Sequence, residues 1–308
     1  MKKVPVLLFL CTALFSFSSA DAQYYFYNDD YYDNPVVVEA GASLNAMNSL
    51  TDIGGKKGVG GKFLKDFNIG NTSIAGGVFV SAMYRNAIAV RLEGTFGKVS
   101  AYDSILTGVT DIAKERFNRN LHFRSSITEI SLLAEIHPLF IFIDYMESDR
   151  EVPRYSPYLL AGVGYFAFNP QAKLGNTWVD LQPLSTEGQG FAEYPDRPVY
   201  KLRQMNIPFG LGVKYELSPM LNLRGEFVYR KLNTDYLDDV STTYIDPALY
   251  AQYFSGTKLN QALLLNDRQK ESRTNPEGGS KRGSSKENDS YFSFNVKLSL
   301  VLGREKIR

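Results

Sequence analysis

The sequence predicts an all-β chain, an eight-stranded antiparallel transmembrane β-barrel with short periplasmic turns and long extracellular loops. Three observations predict it. Apolar and polar residues alternate with period two in segments of about ten residues or more, the length of a tilted strand that crosses a bilayer. The connections between these segments alternate long and short along the chain, as membrane barrels require. The N-terminus carries an export signal: basic Lys2 and Lys3, an apolar run from Val4 to Phe17, and the small-residue pattern Ala20-Asp21-Ala22.

Taken in order, residues 1–22 are a signal peptide, cleaved after Ala22. Cys11 lies inside the apolar run behind Leu10, where lipidation wants a small residue, so lipidation is rejected. The chain has 308 residues, with 34 Lys and Arg against 33 Asp and Glu. Cleavage removes Lys2, Lys3 and Asp21 and leaves a neutral chain without cysteine, so disulfides and thiolate metal sites are excluded. The charge balance argues against nucleic acid as a partner. Tyr (20), Phe (20) and Gly (25) are abundant, which suits strands, aromatic surfaces and tight turns.

Residues 23–35 are rich in Tyr, Asp and Asn and read as a periplasmic N-terminal tail or part of an aromatic girdle. A sharper reading makes them an adhesive strip for a periplasmic partner. The barrel occupies 36–302, with strands at 36–47, 72–84, 87–97, 121–142, 156–168, 205–217, 221–232 and 290–302. The sixth is the clearest: Ile207, Phe209, Leu211, Val213, Tyr215 and Leu217 alternate with Pro208, Gly210, Gly212, Lys214 and Glu216. The seventh sets Leu221, Leu223, Gly225, Phe227 and Tyr229 against Asn222, Arg224, Glu226, Val228 and Arg230. The stretches 72–84 and 157–168 are apolar or glycine-bearing on both faces. The connections 48–71, 98–120, 169–204 and 233–289 are long, 85–86 and 218–220 are short, and 143–155 is intermediate. Residues 256–289 read as a mobile polar surface loop. Residues 303–308 form a C-terminal tail without the closing aromatic residue of many such barrels.

In hydrocarbon every backbone polar group must be paired, and only a closed sheet has no edge. Eight strands leave an interior that side chains can fill. The alternation points Arg91, Glu93, Glu129, Glu135, Lys214, Glu216, Arg224, Glu226, Arg230 and Lys297 into that lumen, where opposite charges can neutralise each other. A soluble barrel or sandwich with the same alternation turned inside out is the competing reading.

Signals for chemistry are sparse. The two histidines, His122 and His137, bracket one strand and lack metal-pair spacing. No G-x-S-x-G occurs. The stretch from Gly54 to Phe63 is glycine-rich, but Phe63 stands where a phosphate loop needs Ser or Thr. The stretch Thr234-Asp235-Tyr236-Leu237-Asp238-Asp239-Val240-Ser241 gathers three carboxylates that could face a Ca²⁺ ion, or could cap backbone N–H groups where a strand becomes a loop. Thr234, Asp235, Tyr236, Asp238, Asp239 and Ser241 are its candidate residues; no cofactor is expected.

At that stretch the chain resembles the PorG-like outer-membrane β-barrel family of Bacteroidota, associated with the type IX secretion system. The likeness also runs through Arg119-Asn120-Leu121-His122-Phe123, Glu129 and Glu135, Pro157 to Gly164, Phe168-Asn169-Pro170, Ile207 to Gly212, Arg230 and Arg282-Gly283. The resemblance implies a non-enzymatic barrel in lipid that contacts periplasmic secretion proteins, among them a lipoprotein of a periplasmic ring. It implies no catalytic residues and no small-molecule substrate. The alternative readings are a surface adhesion or ligand-binding barrel that uses its extracellular loops, a lipid-modifying barrel enzyme, and a narrow pore.

Overall fold

The computed structural model describes residues 35–54, 68–106, 112–142, 153–269 and 278–302. The expected signal peptide, residues 23–34 of the tail, Gly55 to Phe63 of the glycine-rich stretch and the 303–308 tail lie outside the described residues.

Nine strands form one sheet. They are β1 (Val36–Leu50), β2 (Ser73–Tyr84), β3 (Ile88–Tyr102), β4 (His122–Ile136), β5 (Tyr155–Leu174), β6 (Thr177–Asp180), β7 (Arg203–Ser218), β8 (Leu221–Leu232) and β9 (Ser290–Leu302). Every pairing is antiparallel, and β1 pairs with β9, so the sheet closes. Eight strands make the barrel wall; β6 is a short flap hydrogen-bonded to the end of β5 beyond the wall. Among the described residues four α-helices accompany the connections: α1 (Ile112–Arg119), α2 (Pro138–Phe142), α3 (Tyr250–Tyr253) and α4 (Gly256–Asn266).

One end of the barrel has tight turns. Arg85 and Asn86 both take positive φ, 48° and 55°, the two-residue turn whose twist matches a right-twisted hairpin. Ser218 and Leu221 pair across Pro219-Met220, with a register irregularity at Glu216. The other end carries the long loops.

Through the middle of the wall the alternation is inside out. Leu44, Val78, Leu92, Ile130, Val163, Leu211, Phe294 and Val296 face outward and are exposed, Phe294 by 54%. Among the described residues of this band no outward position bears a charge; in lipid each central Lys or Arg there would cost roughly 2–4 kcal/mol. On β3 the band runs from Ile88 to Phe96 and on β7 from Met205 to Leu217. At about 3.3 Å per residue and the usual 35–45° tilt these correspond to roughly 20–30 Å of height, bracketing the ~25 Å apolar band of a membrane barrel. Such a surface is stable against hydrocarbon and would be a large aggregation-prone patch in water.

Toward the long-loop end the phase reverses on the same strands. Val99, Phe123, Ile127, Phe166, Phe168 and Ala172 face inward and are buried, while Lys98, Ser100, Arg124, Ser126, Gln171 and Lys173 face outward. The wall therefore becomes an ordinary water-facing barrel above the apolar band. This reversal lengthens the strands beyond their expected ends: β1 reaches Leu50, β3 reaches Tyr102 and β5 reaches Leu174, twenty residues in all. A strand was expected to run to residue 142; β4 stops at Ile136, because Pro138 lacks the N–H a ladder needs and opens the short helix α2. The 256–289 segment, expected as a mobile loop, holds the eleven-residue helix α4 within its described part.

Candidate functional site

Three layers fill the barrel from the short-turn end to the long loops. Val37, Met83, Ala89 and Val301 form a small apolar plug at the bottom. Above it lies a charged layer. Arg224 bridges two carboxylates, Glu39 at 2.6 Å and Glu135 at 2.9 Å. Arg91 reaches Glu226 at 2.5 Å, Glu135 at 2.8 Å and Glu93 at 3.1 Å. Lys297 joins Glu93 at 2.5 Å to Glu226 at 2.9 Å. The Tyr158 hydroxyl donates to Glu226, and Asn222 and Ser299 donate to Glu39 at 3.0 Å each. Three cations surround one aromatic ring, since Arg91, Arg224 and Lys297 lie 5.6, 5.5 and 5.2 Å from the Phe79 centroid. One step higher, Arg230 donates to Glu129 at 2.9 Å and to Ser293 at 2.9 Å. Asn206 at 2.8 Å, Ser131 at 2.6 Å and the Tyr291 hydroxyl also donate to Glu129.

Of the ten lumen charges expected from the alternation, Arg91, Glu93, Glu129, Glu135, Arg224, Glu226, Arg230 and Lys297 lie buried in this network. Lys214, at 3.6 Å from Glu39, and Glu216 are only partly buried and sit toward the short-turn rim. The expectation missed Glu39, which stands fully buried in the middle of the charged layer; its place on the polar face of β1 was the available signal. It also missed His137, whose Nδ1 lies 2.8 Å from the Ser156 hydroxyl and whose ring stacks on Tyr158 with centroids 4.9 Å apart.

The third layer is apolar again. Met47, Val99, Phe123, Ile127, Phe166, Phe168, Leu232 and Tyr291 pack with loop residues Ile53, Leu121, Leu237 and Val240 over the upper mouth. Charges are thus closed between two apolar plugs. An ion that crossed the lumen would have to displace packed side chains and break paired charges, a cost of several kcal/mol for each desolvated ion.

The acidic stretch at the end of β8 ties the long loops together over that mouth. The Asp238 carboxylate accepts from the Ile53 N–H at 3.0 Å in the first long loop and from the Val240 N–H at 3.0 Å. The Asp239 carboxylate accepts from the Thr186 hydroxyl at 2.5 Å and the Tyr200 hydroxyl at 2.7 Å, both in the β6–β7 loop. Asp239 adopts φ of +65°, the left-handed conformation that Asp tolerates better than most side chains. Ser241 and Thr242 donate their N–H groups to Glu187 at 3.0 and 2.9 Å. Thr234 Oγ1 accepts from the Tyr236 N–H at 3.2 Å, and Tyr236 stacks on Tyr200 with centroids 4.7 Å apart.

Two arginines, Arg282 buried and Arg119 partly buried, complete the staple. Arg282 donates to Glu187 at 3.0 Å and to the Asp239 carbonyl at 2.5 Å. Arg119 grips Asp103 at 2.8 and 2.9 Å and donates to the carbonyls of Asp52 and Arg282, both at 2.7 Å. Helix α4 and Tyr250 then pack on Leu181, Leu184, Phe191 and Ile245 as a separate apolar cluster. Within the described residues no set of three carboxylate or imidazole groups is arranged to hold a metal ion. The stretch acts through hydrogen bonds to backbone and hydroxyl groups.

Burial leaves its mark on the acidity of these cap carboxylates. Asp235 is pushed up to about 8, by burial first, against the neighbouring Ser241 hydroxyl and with Asp52 and Glu187 adding to the rise. Burial raises Asp239 to about 6 although Arg282, Thr186 and Tyr200 oppose it. Burial and the mutual proximity of Asp52, Asp235, Asp238 and Asp289 raise Asp238 and Asp289 well above the ordinary carboxylate range.

No protein-family model matches the chain, and no curated protein matches it. Solved structures do. Neisserial surface protein A aligns with 86% of this chain and 96% of its own at 10% identity and a TM-score of 0.34. The attachment invasion locus protein Ail of Yersinia pestis, solved with sucrose octasulfate, covers 87% of this chain and 97% of its own at 7% identity and a TM-score of 0.35. A major outer membrane protein from Thermus thermophilus covers 86% and 99% at 11% identity and a TM-score of 0.36. These likenesses concern the barrel alone.

Proposed function

We propose that the chain is a non-enzymatic β-barrel of the outer membrane that serves as a structural component of a protein secretion machine of the type IX kind. In this reading it is anchored in membrane lipid, with its short turns and N-terminal tail in the periplasm. There they meet secretion proteins that include a lipoprotein. The observation that carries the non-enzymatic, structural part is the sealed lumen. A charged layer closed between two apolar plugs offers neither a passage nor an accessible reactive group, which leaves the outer surfaces as the working parts. The secretion role is supported by the resemblance through Thr234 to Ser241.

In-cell crosslinking from cysteines placed in the two tight turns, at Asn86 and Met220, tests it. Recovery of periplasmic lipoprotein and ring proteins is expected. Recovery of none, with surface ligands captured instead by probes in the 177–202 and 233–269 loops, would favour a ligand-binding barrel that works through its tied loop cap.

A further inference from the structure

Above the apolar band, the outer face of β3 to β6 carries cations and aromatic rings with little to neutralise them. In register, the outward rungs read Phe96 beside Thr128, then Lys98 beside Ser126, then Ser100 beside Arg124 and Gln171, then Tyr102 beside His122. Lys173 and Trp178 pair on the flap next to them. Phe96 is thus the last apolar rung, and positive charge begins on the next one.

The cluster is built rather than loose. The Arg124 guanidinium lies 4.0 Å from the centroid of Trp178, and its Nε donates to Gln171 Oε1 at 2.9 Å. Stacking occupies the guanidinium's face and leaves its edge, so the two terminal nitrogens remain as a fork for a planar or tetrahedral anion. His122 stacks on Tyr102 at 6.0 Å and accepts the Lys173 N–H at 2.9 Å, while Arg268 donates to the Lys173 carbonyl at 2.9 Å. The single acid on these rungs, Asp180, accepts hydrogen bonds from Gln171 at 2.6 Å and Asn169 at 3.0 Å. Among the described residues neither Lys98, Arg124 nor Lys173 joins a salt bridge.

We infer that this face binds the phosphorylated sugar headgroup of an outer-leaflet glycolipid. The inference rests on the membrane placement proposed above and goes beyond it. Charge complementarity makes the occupant anionic; depth chooses among anionic lipids. From Lys98 to the Lys173 rung is two rungs, about 13 Å along the strands and roughly 10 Å of height at the usual tilt. The headgroup zone of an ordinary phospholipid leaflet is only about 5–7 Å deep. A phosphate-bearing oligosaccharide spans the whole stretch of cations and offers rings to the amphipathic Trp178 and Tyr102. Cations placed just above hydrocarbon gain most from such anions, because the neighbouring low-dielectric layer weakens the screening of each charge pair.

Trp178 is the only tryptophan in the chain, so its emission reports directly on the site. The full chain in detergent micelles is titrated with bisphosphorylated lipid A and separately with phosphatidylglycerol. A saturable change with an apparent affinity at least tenfold tighter for lipid A is expected. The variant Lys98→Gln/Arg124→Gln/Lys173→Gln should weaken lipid A binding at least tenfold, read also by native mass spectrometry. Lys98→Gln alone, at an exposed position, should weaken it about threefold. Equal charge removed from exposed positions outside these rungs, Lys231→Gln/Lys281→Gln/Lys286→Gln, should leave it within twofold. Equal affinity for the two lipids, equal weakening by both triple variants, or no response overturns the site. Flotation of the wild type with liposomes is scored separately. A chain that floats but does not discriminate sinks only this inference, whereas one that does not float sinks the membrane placement as well.

Discussion

At the scale of single residues, Arg224 concentrates the energetics of the lumen. It is fully buried and spans Glu39 and Glu135. Replacing it with Met would leave two carboxylates short of their main partner. Breaking one side of a buried ion pair costs about 3–5 kcal/mol, so Arg224→Met should lower the thermal midpoint of the heat-modifiable gel shift by many degrees. Pairing it with Glu39→Gln should recover part of the loss. A midpoint equal to wild type would mean that the network adds nothing to stability.

The cap carboxylates behave differently with pH. Asp235 and Asp239, raised to about 8 and about 6 by burial, hold more protons folded than unfolded, where an Asp ordinarily ionises near 3.9. Cap stability is then full below about pH 4 and is lost as pH climbs through 6 and 8. The hydrogen-exchange protection factors of residues 233–245, each rate taken relative to the unstructured peptide at the same pH, should be lower at pH 9 than at pH 6. Asp235→Asn, neutral throughout, should flatten that dependence between pH 7 and 9; an unchanged slope would show that other groups govern it.

At the scale of elements, Gly164 on β5 shows how closely strand and lumen are fitted. A Cβ there would stand 2.1 Å from Asn206 Oδ1, the side chain that donates to Glu129. Gly164→Val should displace Asn206 and lower unfolding stability by about 1–3 kcal/mol. Urea unfolding in detergent measures it. The helix α4 packs on the loop cluster through Ala262 and Leu265, with Tyr250 fully buried beside it. Tyr250→Ala should cost the cap about 3–5 kcal/mol. Limited proteolysis should then cut within 246–269 while the barrel still shows its heat-modifiable shift; simultaneous loss of both would show that cap and wall unfold as one unit.

The same elements show what was readable beforehand. The middle stretches of β7, β8 and β9 keep one alternation phase over many rungs, so Phe209, Arg224, Glu226 and Phe294 could be assigned to a face from sequence. β1, β3 and β5 change phase where the apolar band ends, and the reversal at Gly97 to Val99 looks like the end of a strand unless two solvents are considered for one strand. Helix α4 was hidden by composition. Leu259, Ala262, Leu263 and Asn266 follow helical spacing, but the Gly-, Ser- and Lys-rich stretch after them made the whole segment read as polar loop. The partners of Asp238 and Asp239 could not be read at all, because Ile53, Thr186 and Tyr200 lie far away in the chain and meet only once the barrel brings the loops together.

For the whole molecule, the stacking of apolar plug, charged layer and apolar plug makes the barrel a closed post between two surfaces. Planar bilayers should show no stable ion conductance from the wild-type chain. Defined, reproducible channel steps would contradict the sealed lumen and favour a pore.

All of this depends on which way the wall faces. The direct test is parallax quenching of a single tryptophan, Phe294→Trp in a Trp178→Phe background, in vesicles whose acyl chains carry bromine at chosen depths. Strong quenching by bromine deep in the chains, with little quenching by aqueous acrylamide, is the expected result. Quenching by acrylamide and indifference to the brominated lipid would mean that the wall faces water, and the barrel would have to be understood as a soluble one.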